Sequence, residues 1–177
     1  MKQFWRSLAY CLGWLTVSEI LCLVLAFSFA ILRPDWIRWV SMLCGITAHV
    51  LLMGSCGQRL AKRETALFRQ SGSRVSAGFP VLLAFCTALP LWILYAILWA
   101  NADSSAMLNG FLLLNAPYIQ LHRLLLNGEE PFSAVPQIRQ ILMGLPPVMT
   151  AVSLYIGYRW NYEKGIAEIR SRQHNPT

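Results

Sequence analysis

Charge is what this chain has little of. Asp, Glu, Lys and Arg together make up 13% of its 177 residues, about half the share found in an ordinary soluble domain. A water-soluble protein of this size would leave too much apolar surface uncovered, whereas a lipid bilayer accepts that surface as its natural solvent. Aspartate occurs only at Asp35 and Asp103, so an intramembrane aspartate pair is excluded. There is no H-E-x-x-H, and no glycine-rich loop of the kind that cradles phosphate. The Gly54–Gly57 stretch, GSCG, lacks the strand-to-helix setting of a nucleophile elbow and reads as small residues for close packing.

Metal and cofactor chemistry is equally thin. The five cysteines, Cys11, Cys22, Cys44, Cys56 and Cys86, form no C-x-x-C pair and are odd in number, so they read as small apolar packing residues. Of three histidines, only His49 falls in an apolar run, with His122 and His174 on opposite sides, which does not suit axial ligation of haem. The adjacent acids of GEEP, Gly128–Pro131, read as solvated. No catalytic residue, cofactor or metal site is expected. The reading is of a non-enzymatic chain.

What is present is apolar length. Leu8 to Leu32 carries one charge, Glu19, while Trp39–Gly57, Phe79–Ala100 and Ile141–Tyr158 carry none. A spanning helix needs about 20 predominantly apolar residues. The expected fold is therefore all-α: a polytopic membrane protein with four transmembrane helices at about 8–32, 37–57, 79–100 and 141–158. The first run is too long for the core of a secretory signal and contains Glu19, which favours an uncleaved helix.

Positive charge sets the expected orientation, because Lys and Arg of short loops stay in the cytoplasm. Lys2 and Arg6, then Arg59, Lys62, Arg63, Arg69 and Arg74, then Arg159, Lys164, Arg170 and Arg172 fall on one side. Arg33, Arg38, Arg123 and Arg139 fall on the other. Both termini are thus expected inside, with loop 58–78 and tail 159–177 cytoplasmic and loop 101–140 external. The net charge of +7 then reflects topology and attraction to anionic lipid at the cytoplasmic face. Nucleic acid is not an expected partner, since no basic groove with interleaved aromatics appears. Trp5, Trp36, Trp39, Trp99 and Trp160 fall at the proposed membrane edges, and Trp14 and Trp92 read as packing residues.

The external loop carries an amphipathic helical segment. In Ala106–Leu126, Asn109, Gln120, Arg123 and Asn127 share one face, against Met107, Phe111, Leu114, Tyr118, Leu121 and Leu125. Two short helices are expected along the outer membrane face, broken near Asn115–Pro117, with Asn115 as a cap. A re-entrant hairpin and a fifth span are the competing placements, and a fifth span would put the cationic tail outside. The second span is expected to extend into the cytoplasm and break at Gly72. The tail 161–173 is expected as a short separate helix near the membrane surface. Pro90 falls inside the third run and Pro146-Pro147 early in the fourth, where kinks are expected.

Glu19 is the one acid amid lipid-like neighbours, and such residues mark polar intramembrane sites. It precedes Pro34 by as many residues as His49 follows it. Across a tight turn at Pro34, equal spacing puts both side chains at one depth, ~20 Å from the turn at 1.5 Å per residue. Glu19 aligns with Cys22, Ala26 and Ala30, and His49 with Ser41, Gly45 and Cys56, small residues that let helices close up. Glu19 and His49 are therefore the candidate intramembrane polar pair, read as structural glue. The competing reading bonds Glu19 to a hydroxyl such as Thr16.

Two function classes follow. The first is a subunit, scaffold or accessory factor acting through helix packing, with a membrane-protein partner or a second copy of itself. The second is a small transporter or channel-forming oligomer that uses Glu19 and His49. The bacterial cytoplasmic membrane is the default location, from size, charge bias and the lack of another targeting signal.

Overall fold

A computed structural model describes residues 2–31, 35–71, 76, 78–128 and 131–174. Among them the chain is predominantly helical, with no strand. The expected turn at Pro34, break at Gly72 and acids Glu129 and Glu130 lie outside the described residues, as does the side chain of His174.

Seven α-helices follow in order: α1 Lys2–Ala30, α2 Asp35–Ser71, α3 Gly78–Ala100, α4 Ser105–Leu113, α5 Ile119–Leu126, α6 Gln137–Leu142 and α7 Pro146–His174. Four paths are long and apolar enough to cross a membrane: Gln3–Ala30, Trp36–Gln70, Gly78–Ala100 and Gln137–Ser171, the last joining α6 to α7. Each shows apolar side chains to the outside, such as Val17, Ile20, Val24 and Phe27 on α1 and Val148, Val152 and Ile156 on α7. Such a surface suits lipid, and a helix in lipid satisfies its own backbone groups. Trp5, Trp36, Trp39, Trp99 and Trp160 are exposed, whereas Trp14 and Trp92 are half-buried.

Helix α1 runs antiparallel to α2. Gln3 meets Glu64, Cys11 meets Cys56, Ser18 meets His49 and Cys22 meets the carbonyl of Gly45, so each step up α1 matches an equal step down α2. The buried stripe of α1 is Ser7, Cys11, Leu15, Ser18 and Cys22, a three-and-four spacing that keeps one face toward α2.

Helices α2 and α7 run parallel. Their contacts advance together: His49 with Thr150, Gly54 with Gly157, Thr65 with Gly165. Glycine is required here because the backbones touch. A Cβ on Gly57 would fall against the carbonyl of Leu154, and one on Gly157 against Gly54. The pairing continues beyond the apolar run of α2, so the two C-terminal halves form a polar two-helix stalk. The tail is thus not the separate surface helix expected from its charge spacing. It is the unbroken end of α7, because α2 supplies a partner along its length.

Pro146 and Pro147 stand at the first two positions of α7, where a missing N–H costs nothing. The break comes before them, at Met143–Leu145, and separates α6 from α7. Pro90 does lie within α3.

The loop between α3 and α7 holds the largest departure from expectation. Two short helices broken at Asn115–Pro117 are present: α4 is capped by the Ser104 hydroxyl accepting from the Met107 N–H, and α5 ends at left-handed Asn127 and Gly128. They do not lie flat on the bundle. The hairpin turns inward, and its tip, a single 3-10 turn at Ala116–Tyr118, is buried against α1 and α2. The Pro117 carbonyl sits where a Cβ on Gly45 would come to 2.9 Å. The buried face is accordingly Leu108, Phe111 and Leu112 on α4, and Ile119, His122 and Leu126 on α5. Of the apolar face expected along the membrane, Phe111 and Tyr118 are buried in the bundle while Met107 and Leu114 are exposed. Asn115 does not cap α5, as its amide donates back to the Phe111 carbonyl at 3.0 Å.

Candidate functional site

The hairpin tip enters a layer of buried polar side chains roughly 16 Å from the end of α1, the distance that eleven residues of helix cover. Ser18 and Glu19 of α1, His49 of α2, Asn115, Ala116 and Tyr118 of the tip, and Thr150 of α7 build this layer. His49, Ser18 and Thr150 are fully buried.

His49 bridges three elements. Its Nδ1 lies 2.9 Å from Ser18 Oγ and its Nε2 lies 2.8 Å from Thr150 Oγ1. The Thr150 hydroxyl donates to the Pro146 carbonyl at 3.1 Å. Thr150 therefore accepts from the ring, which assigns the proton to Nε2 and leaves Nδ1 to accept from Ser18. Both ring nitrogens are satisfied, and Tyr118 packs edge-on against the ring at 5.5 Å between centroids.

Glu19 has a different partner. Its Oε2 accepts from the backbone N–H of Ala116 at 3.0 Å. That N–H opens the 3-10 turn and has no partner within it, so the carboxyl caps the tip. The expected direct Glu19–His49 bond does not form, because both imidazole nitrogens are already taken. The neighbour Ser18 occupies the position on α1 that faces His49. The hydroxyl alternative, Thr16, instead donates to the Leu12 carbonyl of its own helix at 3.0 Å.

The other carboxyl oxygen, Glu19 Oε1, is buried without a hydrogen-bond partner among the described residues, as is Asn115 Oδ1. Each is a buried oxygen, one on α1 and one at the hairpin tip, that a donor would satisfy. Above them, His122 is fully buried between Phe111 and Tyr118, with ring centroids at 5.1 and 6.4 Å. Among the described residues neither of its nitrogens makes a well-formed hydrogen bond. Burial pushes its imidazole down to about 4, opposed weakly by the backbone of Met143.

A second polar contact secures the stalk. Glu64, buried on α2, accepts from the Gln3 amide on both carboxyl oxygens at 2.9 and 2.7 Å. Sequence reading missed Ser18, Thr150, Glu64 and Gln3. Ser18 carried a signal, falling in line with Cys11 and Cys22 at helical spacing. Thr150 and Gln3 carried none until their partner helices were placed.

Among the described residues no cluster of three or more His, Cys, Asp or Glu side chains could hold a metal ion. Cys11 and Cys56 touch at 3.8 Å between sulfurs as thiols. No family model matches the chain, and no curated protein or solved structure shows significant similarity to it.

Proposed function

We propose that this is a small non-enzymatic multi-pass membrane protein that serves as a subunit, scaffold or accessory factor, with both termini in the cytoplasm. The observation that carries the reading is the stalk. Helices α2 and α7 stay paired well beyond their apolar portions, joined at Thr65 and Gly165 and tied to α1 through Gln3–Glu64. A groove of about 920 Å³ runs along it, lined by Lys62, Arg69, Gln70, Glu168 and Ile169 among others. A rigid, charged projection on a membrane anchor presents a surface for a partner. The placement of its cations fits the cytoplasm, because the opposite end of the bundle carries only four. The hairpin on that end is then re-entrant, a placement open to non-spanning backbone only where protein surrounds it. The bacterial cytoplasmic membrane remains the default location.

Site-specific photocrosslinking in native membranes tests this. Probes at Arg69 and Ile169 should give one defined adduct, and probes at lipid-facing Val24 should not. Equal, diffuse adducts at all three would count against a partner surface.

One observation favours a second reading, a small transporter. Glu19 Oε1 and Asn115 Oδ1 are buried acceptors without partners among the described residues. Ion or solute flux in proteoliposomes that disappears with Glu19→Gln, while assembly is unchanged, would establish that reading over the first.

A further inference from the structure

The end of the bundle that carries the hairpin holds few cations, yet two of them converge. Arg38, in the first turns of α2, and Arg123, in the last turn of α5, line one cleft of about 610 Å³ with Gln120 and Ser41. The rest of the lining is apolar: Phe29, Ala30, Ile37 and Leu124. Arg123 is exposed, and Arg38 is exposed while also making an interaction within the chain. Among the described lining residues there is no carboxylate. The flanking Trp36 and Trp39 are exposed, as expected for rings at the membrane–water boundary. The cleft thus sits at the level of lipid headgroups, and its volume is within the range of small-molecule sites.

We propose that this cleft binds the phosphate of an anionic lipid, held between the Arg38 and Arg123 guanidiniums, with an acyl chain leaving along Phe29 and Leu124. Guanidinium is the side chain best matched to phosphate, since its fork donates two parallel hydrogen bonds. Gln120 and Ser41 add donors for headgroup oxygens. The apolar wall favours an amphiphile over a free anion. Arg123 on this side runs against the charge bias that sets topology, and a ligand gives it a role that topology does not. The inference rests on the reading that the four helices cross a bilayer, which the same preparation tests separately.

The experiment uses the full chain in lipid nanodiscs, followed by native mass spectrometry with phosphatidylglycerol or phosphatidylcholine as the probe. Failure to enter nanodiscs as a folded helical protein would sink the bilayer reading itself. Given insertion, wild type should retain phosphatidylglycerol over phosphatidylcholine. The R38Q/R123Q double variant should lose about tenfold of that preference, as expected for charged hydrogen bonds. The stalk variant K62Q/R69Q should keep it. Both arginines are exposed, so circular dichroism should match wild type, and the single variant Arg123→Gln, which leaves the in-chain interaction of Arg38 intact, should lose part of the preference. Arg123→Lys should recover only part of the preference, since ammonium lacks the fork. Equal retention of the two lipids, or equal loss in the stalk variant, would overturn the assignment. Displacement of the lipid by millimolar inorganic phosphate would overturn its lipid source and assign the cleft to a soluble anion.

Discussion

Removing His49 should uncouple three elements at once, and double-mutant cycles can show which. The ring donates through Nε2 to Thr150 and accepts at Nδ1 from Ser18, all three side chains being fully buried. Coupling between contacting hydrogen-bonding groups in a membrane helix bundle averages ~0.6 kcal/mol and reaches ~1.7. The pairs Ser18→Ala/His49→Leu and Thr150→Val/His49→Leu should each fall in that range. The single substitution His49→Leu should cost roughly 1–3 kcal/mol, because it leaves the buried Ser18 hydroxyl without its acceptor and takes the ring donor from Thr150, which keeps its bond to Pro146. Glu19→Leu/His49→Leu should be additive to within ~0.5 kcal/mol, as expected for side chains that share no partner. Reversible unfolding of the purified full chain in mixed micelles, or steric trapping in bicelles, supplies the free energies. Thr150→Ser keeps the acceptor and should be milder than Thr150→Val. A Glu19/His49 coupling as large as the Ser18/His49 coupling would refute the network as assigned.

Further outcomes follow from the packing. Gly157→Val and Gly57→Val put side-chain atoms into backbone and should cost at least ~1–3 kcal/mol, as overpacking does. Gly13→Ala meets nothing within 4 Å and should be neutral or stabilising by up to ~1 kcal/mol; thermal melts in detergent compare them, and equal effects would contradict the α2–α7 seam. His122 titrates near 4 when folded against 6.5 otherwise, so the unfolded chain takes up the proton first. Its cost is therefore absent above about pH 6.5 and grows to about 3 kcal/mol as pH falls to 4. Unfolding at pH 7 and 4.5 should show this penalty in wild type and not in His122→Leu; an equal acid penalty in both would assign it elsewhere. Single cysteines at Lys62 and Asp103, in a background without native cysteines, should label from the cytoplasmic and external sides respectively. The opposite pattern would invert the topology.

The long apolar runs were legible because composition alone decides them, and so was the hairpin break, which Pro117 and its neighbours announce locally. What the sequence did not reveal was set by distant partners. Charges at helical spacing in the tail fit a surface helix and a continued α7 equally, and the choice lies with Gly157 and Gly165, which admit α2. The apolar face of the hairpin is divided because its tip inserts: Phe111 and Tyr118 meet the bundle, while Met107 and Leu114 stay outward. An apolar environment removes the usual signal, since lipid-facing and core-facing positions then look alike.

Glu19 shows how narrow the margin was. Equal spacing about Pro34 pairs residue 19 with residue 49, whereas the observed contacts, from Gln3–Glu64 to Cys22–Gly45, all pair one position earlier on α1. In depth that is ~1.5 Å, which is negligible; in rotation it is about 100°, which moves a side chain to another face. The depth was therefore right and the direction was not. Ser18 turns to His49, and Glu19 turns to the hairpin, where it caps the backbone N–H of Ala116 at the tip. A carboxyl on that face gives the inserted tip a fixed anchor. Glu19→Gln keeps an acceptor for the Ala116 N–H and should leave the hairpin seated. Glu19→Leu strands a buried N–H at a cost of roughly 1–3 kcal/mol, and should raise hydrogen exchange at Ala116 and through α5 before it weakens α1–α2 pairing. Faster exchange in α1 and α2 alone, with the tip still protected, would show that Glu19 anchors something else.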